Sequence, residues 1–286
     1  MTTIRNGWRV AALVLVGMAL VYWQVFAKLV HDWYNDDNYS HGFLIIPLAL
    51  YLAWERRQKL AQIAPAPSGF GLVVVVGSIV VLLAGILGSE LFLQRISIVG
   101  VLIGSLLFLF GWQCLRTLMF PLAILFLMIP IPAIIFNQIA FPLQLLASRF
   151  GETAMDFANV PVLREGNVLI LANTTLEVAE ACSGIRSLVS LLTLAIVLGY
   201  FADSRFWVRT VVAISAVPVA VITNGFRVAG TGIAAHKLGP EAAQGFFHEF
   251  SGWIVFVAAF AIMLGIQQLI TRLLPDVAAE PAAAAV

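Results

Sequence analysis

Long apolar runs separated by short polar stretches dominate this chain, and within the runs apolar and polar residues do not alternate. Eight runs can be marked, at roughly 8–30, 41–54, 69–89, 92–111, 117–136, 183–201, 207–235 and 251–271. A helix crossing a bilayer needs about 20 apolar residues, whereas a barrel strand alternates over about 10. The pattern therefore predicts an all-α integral membrane protein with about eight transmembrane helices. A spanning backbone must satisfy its own hydrogen bonds, which is why the spans are helical. The second run is short and must borrow turns from its flanks. The seventh is long and carries Pro218, where a kink is expected.

The interval 137–181 has a different texture. Over 137–157, Asn137, Gln138, Gln144, Ser148, Arg149, Glu152 and Asp156 recur among apolar neighbours at helical spacing, which predicts an interfacial helix. From 159 to 180, short β-prone runs are separated by Arg164-Glu165-Gly166-Asn167 and Ala172-Asn173-Thr174-Thr175. Two or three small strands are predicted there, forming a small β-hairpin-like extracytoplasmic insertion before the sixth span. No internal repeat or second domain is visible. One eight-span domain is expected over 1–274, with 137–181 as its insertion and the Ala-rich 275–286 as a disordered cytoplasmic tail.

Composition agrees with the pattern. Of 286 residues, 61% are hydrophobic and 11% charged, against about 25% charged in soluble domains. A net charge of +1 gives no bulk attraction for nucleic acid. The first run has no small-x-small exit and is expected to be retained as a span. The two cysteines, Cys114 and Cys182, offer no disulfide framework. No cluster has metal-ligand spacing, so neither a metal nor another cofactor is expected.

Loop charge orients the bundle. Arg5, Arg9, Arg56, Arg57, Lys59, Arg116, Arg205, Arg209 and Arg272 fall on one side. The other side collects Asp32, Asp36 and Asp37, then Glu90 and Arg95, the 137–181 interval and 236–250. Positive-inside bias makes the first side cytoplasmic, with both termini inside.

Three segments then bring chemistry to the outer face. Cys182, flanked by Ser183 and Gly184 and followed by Arg186, opens the sixth span. Asn224 and Arg227 lie in the outer half of the seventh, and His248 stands just before the eighth. A charge at the centre of a span costs about 2.5–3.5 kcal/mol or more and is a functional hypothesis by default. A thiolate is a nucleophile, a histidine moves protons, and an arginine stabilises an oxyanion or holds a carbonyl. Together these types support nucleophilic acyl transfer. Taken singly, each has a plainer reading: Cys182 as packing, Arg227 snorkelling to headgroups, His248 as a solvated loop residue. Arg186 stays open between anchor, partner of the thiolate and ion pair with Glu177 or Glu180. His31, His41 and His236 are expected on the same side, so composition does not choose the base.

Ala181-Cys182-Ser183-Gly184-Ile185-Arg186-Ser187, Asn224-Gly225-Phe226-Arg227 and Phe247-His248-Glu249-Phe250-Ser251-Gly252 resemble the motifs of the exosortase/archaeosortase family. Tyr39-Ser40-His41-Gly42-Phe43-Leu44-Ile45-Ile46-Pro47 resembles its bacterial branch, and the likeness covers about 31–270. It implies a sortase-like membrane cysteine transpeptidase of the bacterial inner membrane, with its site facing the periplasm. Its partners would be exported proteins bearing a C-terminal sorting tail: a Pro-Glu-Pro-type motif, an apolar helix and a basic cluster. The resemblance assigns Cys182 as nucleophile, Arg227 as oxyanion or orienting group and His248 as general acid/base. Ser183, Gly184, Arg186 and Asn224 are expected to support the site or bind substrate. Membrane lipid surrounds the protein, and the acceptor nucleophile is not specified. The competing classes are a polytopic transporter and a structural component of an envelope or exopolysaccharide assembly system. A transporter would favour inverted repeats or paired broken helices, and the sequence shows neither.

Overall fold

A computed structural model describes residues 13–36, 38–178, 184–203, 205–243 and 246–273, the side chains of 184–187, 242–243 and 246–249 excepted. The chain divides into two compact units, Met1–Ala133 and Ile134–Val286. Each is built mainly from helices.

In the first unit, α1 (Leu13–Val21) and α2 (Trp23–Asn35) meet at a 68° bend. Neither proline nor glycine marks the bend. Tyr22 occupies it, 1% exposed, with its hydroxyl 3.0 Å from Ser97 Oγ, so a tertiary contact holds the break. After α3 (Gly42–Glu55) and the short α4 (Arg57–Gln62), α5 (Phe70–Leu87) and α6 (Leu91–Phe110) form a tight antiparallel pair. Gly104 permits their approach: a Cβ there would lie 2.8 Å from the Val75 backbone nitrogen and 2.9 Å from the Gly71 oxygen. Helix α7 (Trp112–Ile124) tightens into a 3₁₀ turn, Leu125–Met128, before Ile129-Pro130-Ile131-Pro132.

Those prolines shape the polar interior of this unit. Pro130 has no N–H for the Leu127 carbonyl in 3₁₀ geometry, and Pro132 has none for the Met128 carbonyl in α geometry. His41 Nε2 lies 3.1 Å from the first and Trp33 Nε1 donates to the second at 2.9 Å. A carbonyl only accepts, so His41 carries its proton on Nε2. The Tyr39 hydroxyl donates to the Ile131 carbonyl at 3.4 Å. The Tyr39–Pro47 stretch thus clasps the end of α7. Deeper in the unit, Arg95 on α6 pairs with Asp32 on α2.

The second unit opens with α8 (Ala133–Phe157), which covers the expected 137–157 helix. Three strands follow, β1 (Val162–Glu165), β2 (Val168–Leu171) and β3 (Thr175–Glu177), in an antiparallel sheet of order β1-β2-β3. Leu163 pairs with Ile170 and Leu169 with Leu176. The insertion is therefore a three-stranded meander, one strand beyond a simple hairpin. Gly166 supplies the positive φ of 66° that its first two-residue turn requires.

Helices α9 (Gly184–Ala202), α10 (Phe206–Leu238) and α11 (Phe246–Leu273) complete the unit and pack on one another. Two apolar cores form. Leu191, Ala195, Val212, Ala216, Ala259 and Met263 fill the one among the three helices. Leu169, Leu171 and Leu176 of the sheet, with Met155 of α8 and Val228, Ala229 and Ala235 of α10, fill the other. Helix α10 runs unbroken through Pro218.

The protein is membrane-embedded: α5, α6, α10 and Phe250–Leu273 are each long and apolar enough to cross a bilayer. Counting each of two bent helix pairs as one span raises the number to six. The expected eight also needed α3, which has 14 residues, and the sixth run, of which Leu188–Ala202 is the described apolar stretch. The first falls short of the length that a straight crossing demands, whereas α9, with 19 residues from Gly184, does not.

Candidate active site

The inward face of α10 carries a buried stripe of Ala220, Thr223, Asn224, Arg227, Val228, Thr231 and Ala235, at i, i+3, i+4, i+7, i+8, i+11 and i+15. Ala220 belongs to the three-helix core, and Val228 and Ala235 belong to the sheet core. Thr223, Asn224 and Arg227 form a polar band at the seam between them. Arg227 and Asn224 are each 7% exposed. Thr223 returns its hydroxyl to its own helix, donating to Val219 O at 2.7 Å.

Small residues draw α8 against this stretch. Gly225 abuts the Phe150 ring, Gly151 abuts Val228, and Gly232 abuts Met155. Phe150 and Phe226 meet edge to face at 4.8 Å. On the other side, Arg227 reaches α11: its guanidinium lies over Gly252, whose missing Cβ would stand 3.0 Å from Nη2. Gly252 follows His248 by one helical turn, so the two positions share one face of α11.

Helix lengths set the depth of the predicted residues. The α9–α10 connection puts the start of α9 and the end of α10 at one end of the three-helix group. From that connection, the start of α9 lies 18 residues back and Arg227 lies 21 residues on from Phe206. At 1.5 Å per residue these are about 27 and 32 Å, levels that differ by about one helical turn. The α10–α11 connection returns the start of α11, with the His248 position, to the same end.

Cys182 and Ser183 lie outside the described residues, as do the side chains of Arg186 and His248. Gly184 is the first described residue of α9. On the other flank of Cys182 the chain is anchored as far as Val178. Val178 is fully buried, and its backbone N–H donates to Asn167 O at 2.9 Å. Asn167 sits in the β1–β2 turn, which is tied down in three ways. The buried Ser148 hydroxyl donates to Gly166 O at 2.9 Å, Arg164 pairs with Glu152 at 2.6 Å, and Arg164 Nη1 donates to Gly166 O at 3.1 Å. Asn173 Nδ2 fastens the next turn to the Ala235 carbonyl of α10 at 2.7 Å. The meander thereby places the buried, hydrogen-bonded Val178 four residues before Cys182.

The structure thus joins Asn224 and Arg227 in one buried band and sets Arg227 one turn along α11 from the His248 position. Sequence inspection did not single out Thr223, Thr231 or Gly252. Thr223 and Thr231 fall at i−4 and i+4 from Arg227, and Gly252 at i+4 from His248, spacings that a helical projection exposes. His31 and His236 are exposed, and His41 is engaged in the first unit. Among the described residues, no group of three His, Cys, Asp or Glu side chains is placed to hold a metal.

No curated protein and no solved structure matches this chain. A family model described as transmembrane exosortase matches residues 33–265, which take in every motif above. Extending over most of the chain, that match places the protein in the exosortase family.

Proposed function

We propose that this protein is a membrane-embedded cysteine protease/transpeptidase that cleaves the C-terminal sorting tail of exported proteins. The observation that carries the proposal is Arg227: a cation buried in a membrane helix, laid on the face of α11 that also bears the His248 position. A buried permanent charge is costly, and developing negative charge in a reaction gives it a use.

In this mechanism the Cys182 thiolate attacks the scissile carbonyl of the tail, its proton passing to His248. Arg227 donates to the tetrahedral oxyanion. The C–N bond then breaks, the tail amine leaves with the proton held by His248, and a thioester to Cys182 remains. An acceptor amine or water attacks the thioester and frees the thiol. Ser183 and Gly184 keep the approach to the thiol small, Asn224 supports Arg227, and Arg186 tunes the thiolate or binds substrate.

The depth of these groups supports such a substrate. About 20 residues cross the bilayer core, and 20 residues separate Trp207, near the basic Arg205 and Arg209, from Arg227. An eight-span topology with both termini in the cytoplasm, in the bacterial inner membrane, puts Arg227 at the periplasmic boundary. A tail held by its own apolar helix presents its scissile bond at a fixed depth. Tethering both partners in one membrane also raises their effective concentration.

Co-expression with an exported reporter carrying such a tail tests the proposal. Wild type converts the reporter to its shortened form, and Cys182→Ala, Arg227→Ala and His248→Ala at equal membrane abundance do not. Processing that survives Cys182→Ala refutes the mechanism.

A further inference from the structure

Glycine is a poor helix former, yet Gly252 sits in the second turn of α11, next to Trp253 and Ile254. Its neighbour explains its presence. A Cβ on Gly252 would stand 3.0 Å from Arg227 Nη2, 3.2 Å from Cζ and 3.5 Å from Nη1. Near-equal distances to all three atoms put that point over the face of the guanidinium, not at its edge. Arg227 therefore lies flat on α11 where the helix has no side chain. Its N–H donors radiate in a plane along the helix surface, one turn from the His248 position on the same face.

We propose that Gly252 is a positioning residue for the tail-cleaving reaction: its bare backbone is the seat that fixes the plane and depth of the Arg227 guanidinium. The inference rests on the reaction proposed above and adds the group that aims its arginine. Non-bonded heavy atoms settle at about 3.5–4.0 Å, so a methyl group at 252 pushes the guanidinium away by roughly half an ångström. Arg227 is enclosed by the seam of two cores and cannot take up the shift by swinging into open space. A donor aimed at a developing oxyanion loses effect steeply with such displacement.

Helix propensity and catalysis then pull in opposite directions. Gly252→Ala favours the α11 helix but unseats Arg227. A glycine retained only for packing would, on substitution, lower stability along with activity.

The test uses purified full-length protein in detergent micelles. The substrate is a synthetic peptide with a Pro-Glu-Pro motif, an apolar helix and a basic end. Gly252→Ala is expected to lower kcat about tenfold with KM changed less than about twofold, and Gly252→Val to lower kcat about a hundredfold. The unfolding temperature of Gly252→Ala stays at or above that of wild type. In an Arg227→Ala background, adding Gly252→Ala changes kcat less than about twofold, because the seat has nothing left to aim. If Gly252→Ala keeps full kcat while Cys182→Ala is inactive, the seat is overturned and the cysteine mechanism stands. Equal losses in the two backgrounds, or a kcat loss matched by a lower unfolding temperature, also overturn it. Cleavage by Cys182→Ala overturns the mechanism and the seat together.

Discussion

Among the described residues two arginines are buried, one in each unit, and their surroundings differ. Arg95 is 3% exposed and pairs with the Asp32 carboxylate, which neutralises it within the first unit. Arg227 is 7% exposed and lies face-on to a glycine beside the His248 position. The same side chain serves as a brace in one place and, in our proposal, as an aimed cation in the other. Burial alone does not separate the two roles; what the guanidinium rests against does. A carboxylate partner consumes the charge in holding helices together. A backbone seat fixes the plane and depth of the guanidinium.

The comparison can be broken by substitution. The largest effect expected is on folding, at the brace. Asp32→Leu strands a buried charge and should cost about 3–5 kcal/mol, read as a lower unfolding temperature and reduced yield. Asp32→Leu combined with Arg95→Met should recover most of that loss. If Asp32→Leu abolishes tail processing while leaving the fold intact, Arg95 is not a brace. Next comes Arg227→Ala, expected to lower the processing rate about 10²–10³-fold, the range for removing one oxyanion donor. Its unfolding temperature should fall far less than that of Asp32→Leu. A fold loss as large as at the brace would erase the contrast between the two arginines.

Smaller effects sharpen the picture around each element. Ser148→Ala removes a fully buried hydroxyl from Gly166 O and should cost about 1 kcal/mol. Because the β1–β2 turn anchors Val178, hydrogen exchange at Val178 should quicken in the same variant. The smallest effect is electrostatic. Asp203, in the α9–α10 connection, accepts from the Arg205 backbone N–H at 2.7 Å and from the Arg205 side chain, which holds its carboxyl below the usual aspartate range. A folded-state pKa below the unfolded value contributes stability above the unfolded value, near 3.8, that is lost as pH falls through the folded one. Thermal unfolding followed from pH 5 downward (about neutral for this pair to fully protonated) should show wild type losing slightly more stability than Asp203→Asn.

Much of this architecture is written in local pattern. The helix expected over 137–157 follows from polar residues at helical spacing, though it begins at Ala133, inside the run expected as the fifth span. The strands follow from β-prone runs parted by Gly166-Asn167 and Ala172–Thr175. What the pattern hides is set by contacts distant in sequence. The bend at Tyr22 carries no local breaker, since its cause is Ser97, 75 residues away. Asp32 and Arg95 were expected on one side of the bundle, but their pairing joins helices 63 residues apart. Arg227 was legible as a charge out of place in an apolar run. Its seat was not, because a glycine in a helix gives no sign of which neighbour fills the space above it. The seat becomes visible only when α10 and α11 are packed.

The central claim is that Cys182 carries the tail-processing reaction as an acyl thioester. The most direct measurement is mass spectrometry of full-length protein quenched in acid during turnover of the tail-bearing reporter. We predict a peptide containing Cys182 that bears the reporter's new C-terminus, is released by hydroxylamine, and is absent from Cys182→Ala. Turnover with no adduct on Cys182, or an undiminished shortened product from Cys182→Ala, would contradict the account.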